Sequence, residues 1–126
     1  MKQGAIGWVE LCTTDPKAAQ GFYRDLFGWQ FEADAMGHQG YTVAKVDGKG
    51  VAGVMGMPPG CPAGVPPHWG VYVTVQDIDA TAAKVRELGG KVLAGPMEIE
   101  GVGRFAVIQD PQGAVISAIQ FAGEAP

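Results

Sequence analysis

Glu10 lies in an alternating run, Trp8-Val9-Glu10-Leu11-Cys12, which reads as a strand with successive side chains on opposite faces. Trp8, Glu10 and Cys12 then share one face, and Val9 and Leu11 the other. A carboxylate beside an aromatic ring is general-base material once desolvation raises its pKa. It also reads as a solvated or ion-paired strand residue, with Arg104 as a candidate partner. His68 belongs to a second alternating run and falls on the face of Gly70, Tyr72 and Thr74. An imidazole there can exchange protons near neutral pH; following two prolines, it also reads as a packing and turn residue. Trp8 and Tyr72 offer flat rings for stacking on an apolar or aromatic ligand. Met55 and Met57 offer an adaptable wall. Arg104, after Gly101-Val102-Gly103, is a fork for a substrate carboxylate or for a structural ion pair. Trp69 falls by alternation on the opposite face from Tyr72. His38, in Met36-Gly37-His38-Gln39-Gly40, reads as an exposed loop residue.

The elements that must position these groups occur twice. Asp15 and Asp77 are 62 residues apart, as are Gly28 and Gly90. Each Asp follows an alternating strand and opens a helix as N-cap, the first with Pro16 at the following position. Each helix is stopped by glycine. Ala18, Phe22 and Leu26 form the apolar stripe of the first helix, with Ala19 and Tyr23 beside it; Ile78, Ala82 and Val85 form that of the second. Three strands follow each helix, near 29–33, 41–46 and 50–57 and near 91–94, 104–109 and 114–121. Asp110-Pro111-Gln112-Gly113 carries the residues of a type I turn. The segment 58–67, PPGCPAGVPP, supports neither helix nor central strand, because proline has no N–H. The expected architecture is α+β: two tandem βαβββ units, about 4–57 and 68–122, in one domain spanning 1–126. A helix covers one face of each small sheet, and the other face is left open for a ligand. Gly48-Lys49-Gly50-Val51-Ala52-Gly53 formally matches G-x-G-x-x-G, but the apolar run continues as strand where a dinucleotide site needs a helix.

Composition excludes several partner classes. The chain of 126 residues is 47% hydrophobic and 17% charged, with a net charge of −4. Its Lys and Arg are scattered, which argues against nucleic acid, since phosphate contacts need clustered cations. No apolar run approaches the roughly 20 residues of a membrane span. The N-terminus leads straight into a strand without a signal-peptide pattern, so a cytoplasmic location with Cys12 and Cys61 reduced is expected.

The ordered set Asp15-Pro16, Phe22-Tyr23, Leu26-Phe27-Gly28-Trp29, then Asp77, Leu88-Gly89-Gly90, Gly103-Arg104-Phe105 and Asp110-Pro111-Gln112-Gly113 resembles the vicinal oxygen chelate superfamily. That superfamily includes glyoxalase I, extradiol dioxygenases and bleomycin resistance proteins, and the resemblance spans nearly the whole chain. Its metal-using members take four ligands, usually His or Glu, from the first and last strand of each unit. The resemblance implies Trp8, Gly53, Gly70 and Ser117 for those positions here. A Trp, two Gly and a Ser do not make a divalent-metal site, so no metal cofactor is expected. Three readings stand. One is a glyoxalase-like lyase or isomerase working without the metal, with Glu10 and His68 as proton-transfer groups. The second is a bleomycin-resistance-like protein that sequesters a flat apolar compound. The third is a metal-dependent lyase or dioxygenase. The substrate-binding set is Trp8, Cys12, Met55, Tyr72, Arg104 and Ser117, the partner a small molecule, and the assembly a homodimer.

Overall fold

A computed structural model of the chain describes residues 2–33, 40–57 and 65–123. His38, Cys61 and most of the proline-rich segment lie outside the described residues. Among the described residues, β1 (Ile6–Thr13), α1 (Pro16–Phe27), β2 (Gln30–Ala33), β3 (Tyr41–Val46) and β4 (Lys49–Gly56) make up the first half. The second repeats the order with β5 (His68–Thr74), α2 (Ile78–Glu87), β6 (Lys91–Ile99), β7 (Gly103–Gln109) and β8 (Val115–Phe121). The chain is therefore α+β and twice βαβββ, as the repeat implied. Its residues group into two compact units, one of residues 8–70 and one of residues 1–7 with 71–126.

In the unit of residues 8–70, β2, β3 and β4 are antiparallel neighbours, and β1 joins β4 in parallel, with Glu10 opposite Gly53 and Leu11 opposite Val54. Asp15 caps α1 by accepting the Ala18 N–H at 3.0 Å, and Gly28 ends it in the left-handed conformation at φ 75°. Leu11, Ala44, Ala52 and Val54 are buried on the α1 side of the sheet. The helix meets them differently from the expected stripe. Phe22 and Leu26 are 61% and 57% exposed, and α1 has no buried residue. Gln20 Nε2 donates to Thr42 Oγ1 at 3.3 Å, and Tyr23 packs on Trp29 and Trp69, which turns Phe22 and Leu26 outward. Polar anchoring and aromatic contacts override the hydrophobic stripe. At the β3–β4 turn Asp47 and Gly48 both have positive φ, 51° and 76°, and β4 follows directly. The glycine pattern there serves a hairpin rather than a dinucleotide site.

In the other unit β6, β7 and β8 are antiparallel, and β5 joins β8 in parallel with Tyr72 opposite Ser117. Asp77 accepts the Ala80 N–H at 3.1 Å to cap α2. Ile78 (0% exposed) and Ala82 (4%) are buried as expected, and Ile78 packs with Val75, Ala106 and Ala118. Asp110 accepts the N–H groups of Gln112 and Ala114, and Gly113 N–H closes the turn on the Asp110 carbonyl at 3.0 Å. Strand β6 runs on to Ile99, beyond the expected end at Ala94, with its register shifting between Ala94 and Met97 where Pro96 has no N–H to pair.

Candidate functional site

The parallel pairing of β1 with β4 fixes the face opposite α1. Residues paired across a ladder share a face, so Glu10 lies with Gly53 and Val43, and Cys12 with Met55 and Tyr41. On this face three side chains make one chain of hydrogen bonds. Trp8 Nε1 donates to Tyr41 Oη at 2.7 Å, and Tyr41 Oη donates to Glu10 Oε2 at 2.8 Å. The direction is forced, because an indole can only donate; the phenol oxygen must accept there and turns its own proton to the carboxylate. Glu10 is 8% exposed and is one of few buried polar residues, the others being Thr13 and Thr74 among the described residues. A hydrogen bond to a carboxylate in such a setting is stronger than its solvated equivalent.

Gly53 makes the arrangement possible. A Cβ on Gly53 would stand 1.8 Å from Tyr41 Oη and 3.0 Å from Trp8 Nε1. The phenol occupies the volume that any side chain at 53 would need. Tyr41 escapes a reading of the sequence because nothing near it marks it: its partners lie 31 and 33 residues away and meet it only through the strand register.

The other candidates fall elsewhere. His68 is exposed, and its Nδ1 is 2.9 Å from the Pro66 carbonyl. With Leu11, Thr13, Phe22, Tyr23 and Trp69 it lines an open groove of about 280 Å³. Leu11 and Thr13 alternate with Glu10 along β1, so this groove is on the α1 side, and Glu10 and His68 are not brought together. Trp69 meets α1, donating from Nε1 to Tyr23 Oη at 3.2 Å. Cys12 and Met55 are half-buried on the Glu10 face. In the other unit Tyr72 packs edge-on against Phe105, with centroids 6.2 Å apart, and Ser117 sits opposite it. Arg104 makes the structural ion pair: Nη1 and Nη2 meet Asp79 Oδ2 and Oδ1 at 2.8 and 3.1 Å. That fork lowers the Asp79 pKa and raises that of Arg104, through the hydrogen bond first.

Residues 5–117 match the family model of the Glyoxalase/Bleomycin resistance protein/Dioxygenase superfamily. The chain belongs to this superfamily. It is 41% identical over 121 residues to "Putative glyoxylase CFP32" of Mycobacterium tuberculosis, covering 94% of this chain and 46% of that protein. It is 36% identical over 126 residues to the anthracycline biosynthesis protein DnrV of Streptomyces peucetius, covering 90% and 46%. The chain thus spans about half the length of these curated relatives. Among solved structures, methylmalonyl-CoA epimerase from Mycobacterium tuberculosis superposes with a TM-score of 0.63 at 18% identity, over 94% of this chain and 89% of that one. The Mn(II)-bound glyoxalase from Novosphingobium aromaticivorans does so at 0.61 and 19%, over 94% and 39%. At those identities the likeness is one of fold.

The superfamily's metal does not fit the residues present. At the first two of the positions that the resemblance implies, the Trp8 indole is a donor without a lone pair for a cation, and the place of a side chain at Gly53 is filled by the Tyr41 phenol. Gly70 brings no ligand atom and Ser117 only a neutral hydroxyl. Among the described residues, no three His, Cys, Asp or Glu side chains converge as a metal site would require.

Proposed function

We propose that this chain binds a small, flat, largely apolar organic molecule on the Trp8–Glu10 face and acts on it by proton transfer through Glu10, without the superfamily's metal. The observation that carries this reading is the buried Glu10 carboxylate, held by Tyr41 beside the Trp8 ring, next to Trp8 and Gly53, two of the positions that the resemblance implies for the family's metal ligands. A fixed, desolvated carboxylate next to a stacking surface has the parts for abstracting a proton from a bound carbon or hydroxyl acid. The relatives' names point the same way: a glyoxylase and a protein of anthracycline biosynthesis both suggest small organic substrates. Cys12 and Met55, on the same face, line the ligand's flank. His68 takes no part in this chemistry, since it lies on the α1 side.

A second reading, sequestration without turnover, is favoured by the Trp8 ring alone. Glu10→Gln separates the two. Loss of turnover that saturating substrate does not restore supports proton transfer, whereas reduced affinity in a protein whose parent form is inert toward candidate small-molecule substrates supports sequestration. A stoichiometric divalent metal in the purified protein would sink the metal-free reading in either form.

We also propose that two copies of the chain associate through the exposed Phe22, Leu26 and Phe27 of α1. Contiguous exposed aromatic surface marks an interaction site, and the relatives, about twice as long, have room for a second such unit in one chain.

A further inference from the structure

The duplication supplies an internal comparison for the Trp8–Tyr41–Glu10 chain. Gly53 faces Glu10 across β4 and β1, and Ser117 faces Tyr72 across β8 and β5. Tyr41 pairs with Met55, and Phe105 pairs with Ile119. Tyr72 therefore stands where Glu10 stands, 62 residues on, and Phe105 stands where Tyr41 stands, 64 residues on, as Ser117 does for Gly53 and Ile119 for Met55. Gly70 is the counterpart of Trp8.

The ring at the Tyr41 position is common to both copies; the hydroxyl is not. In the second copy the ring packs on a ring, Phe105 on Tyr72, with centroids 6.2 Å apart. In the first, the indole, the carboxylate and the phenol are present together, and residue 53 has no side chain where the phenol sits. Packing needs only the ring, which Phe105 supplies without oxygen. A bare hydroxyl that serves a single partner does not explain why its donor, its acceptor and its seat all differ from the other copy at once.

We infer that Tyr41 is a positioning residue of the ligand site: its hydroxyl, admitted by Gly53, fixes the Glu10 carboxylate and the Trp8 ring as one recognition unit. This rests on the reading of the Trp8–Glu10 face as the ligand site. The unit selects flat molecules that present a hydroxyl or N–H to the carboxylate while their ring lies on Trp8. A carboxylate whose rotamer is held gives a stronger and more directional hydrogen bond to such a donor than a freely rotating one.

The test uses the full chain with naphthol as probe, a flat ring system with one hydroxyl, and reads Trp8 twice: by the part of the fluorescence quenching that is lost in Trp8→Phe, since Trp29 and Trp69 also emit, and by its indole N–H resonance, assigned by its loss in the same variant. Tyr41→Phe is expected to keep the far-ultraviolet circular dichroism, as Phe105 leads one to expect. It should move the Trp8 indole resonance and weaken naphthol binding about tenfold, the scale of one hydrogen bond to a charged group. Glu10→Gln should lose a similar factor, and the double variant little more than either single one, since members of one unit are not additive. Phe105→Tyr should bind as the parent does. The inference is overturned if Tyr41→Phe binds naphthol like the parent while Glu10→Gln does not, if the two losses multiply in full, or if the Trp8 resonance stays in place. Failure of the underlying reading looks different: naphthol binding absent, or indifferent to Trp8→Ala and Glu10→Gln alike. The indole resonance of Tyr41→Phe then decides the positioning role without a ligand. Should Tyr41→Phe not fold, Gly53→Ala evicts the phenol by sterics and provides the same comparison.

Discussion

At Gly53, one missing methyl group holds three side chains in place. Gly53→Ala puts a carbon 1.8 Å from Tyr41 Oη, so the phenol must leave its seat. Overpacking of this kind costs about 1–3 kcal/mol, readable as a lowered urea midpoint at unchanged slope. An unchanged midpoint would mean that the phenol moves freely and the chain of hydrogen bonds is loose. Of this site, Trp8 and Glu10 were legible from strand alternation alone, because their shared face follows from the period of two. Tyr41 was not, since its relation to Glu10 exists only in the β1–β4–β3 register. The offset pairing of Tyr41 with Phe105 was the available signal, and it needed the strand partners to be seen. Arg104 shows the other limit: its partner Asp79 lies on α2, 25 residues away, and no spacing rule points to it. That pair makes a pH prediction. The guanidinium holds the Asp79 carboxyl below its ordinary value of 3.8. A depressed folded-state value adds stability above the unfolded-state value and loses it as pH falls through the folded one. Asp79→Asn should therefore show a flatter acid limb of stability against pH than the parent. Both groups are exposed, so added salt should narrow the difference between them.

Helices α1 and α2 begin with the same device, an Asp cap, and differ in what they bury. Ile78 is fully buried at the start of α2, and its backbone N–H is taken by Gln120 Oε1 at 2.9 Å. Ile78→Ala should cost about 2–5 kcal/mol, through lost transfer energy and a residual cavity. Leu26, 57% exposed on α1 in a single copy, should cost within about 0.5 kcal/mol on the same change when measured on dilute, unassociated chain. Chemical denaturation of the two variants checks the contrast; a Leu26→Ala loss that grows with protein concentration would report the proposed association through α1. The caps and the glycine stops were readable because they depend on the chain's immediate neighbours. The facing of α1 was not, because Phe22 and Leu26 satisfy the apolar period while Gln20 and Tyr23 find longer-range partners that outrank it.

For the molecule as a whole, the exposed aromatic face of α1 sets the expected assembly. Phe22→Asp with Phe27→Asp should halve the mass measured by sedimentation, leaving the circular dichroism intact. A parent chain that sediments as a monomer throughout the micromolar range would refute the association. The grouping of residues also has a kinetic side. The unit of residues 8–70 is a continuous stretch, and its contacts can form as soon as that stretch exists. The other unit recruits the first seven residues: Gln3 Oε1 receives the Gln76 N–H across a separation of 73 residues, and Thr74 N–H reaches back to the Ala5 carbonyl. Closing so long a loop costs entropy before any contact rewards it. Pulse-labelled hydrogen exchange should therefore find β3 and β4 protected first, with the N-terminal residues and the start of the second half arriving together and last. The first strand of the repeat should thus have its opening residues fixed only when the second half closes on them.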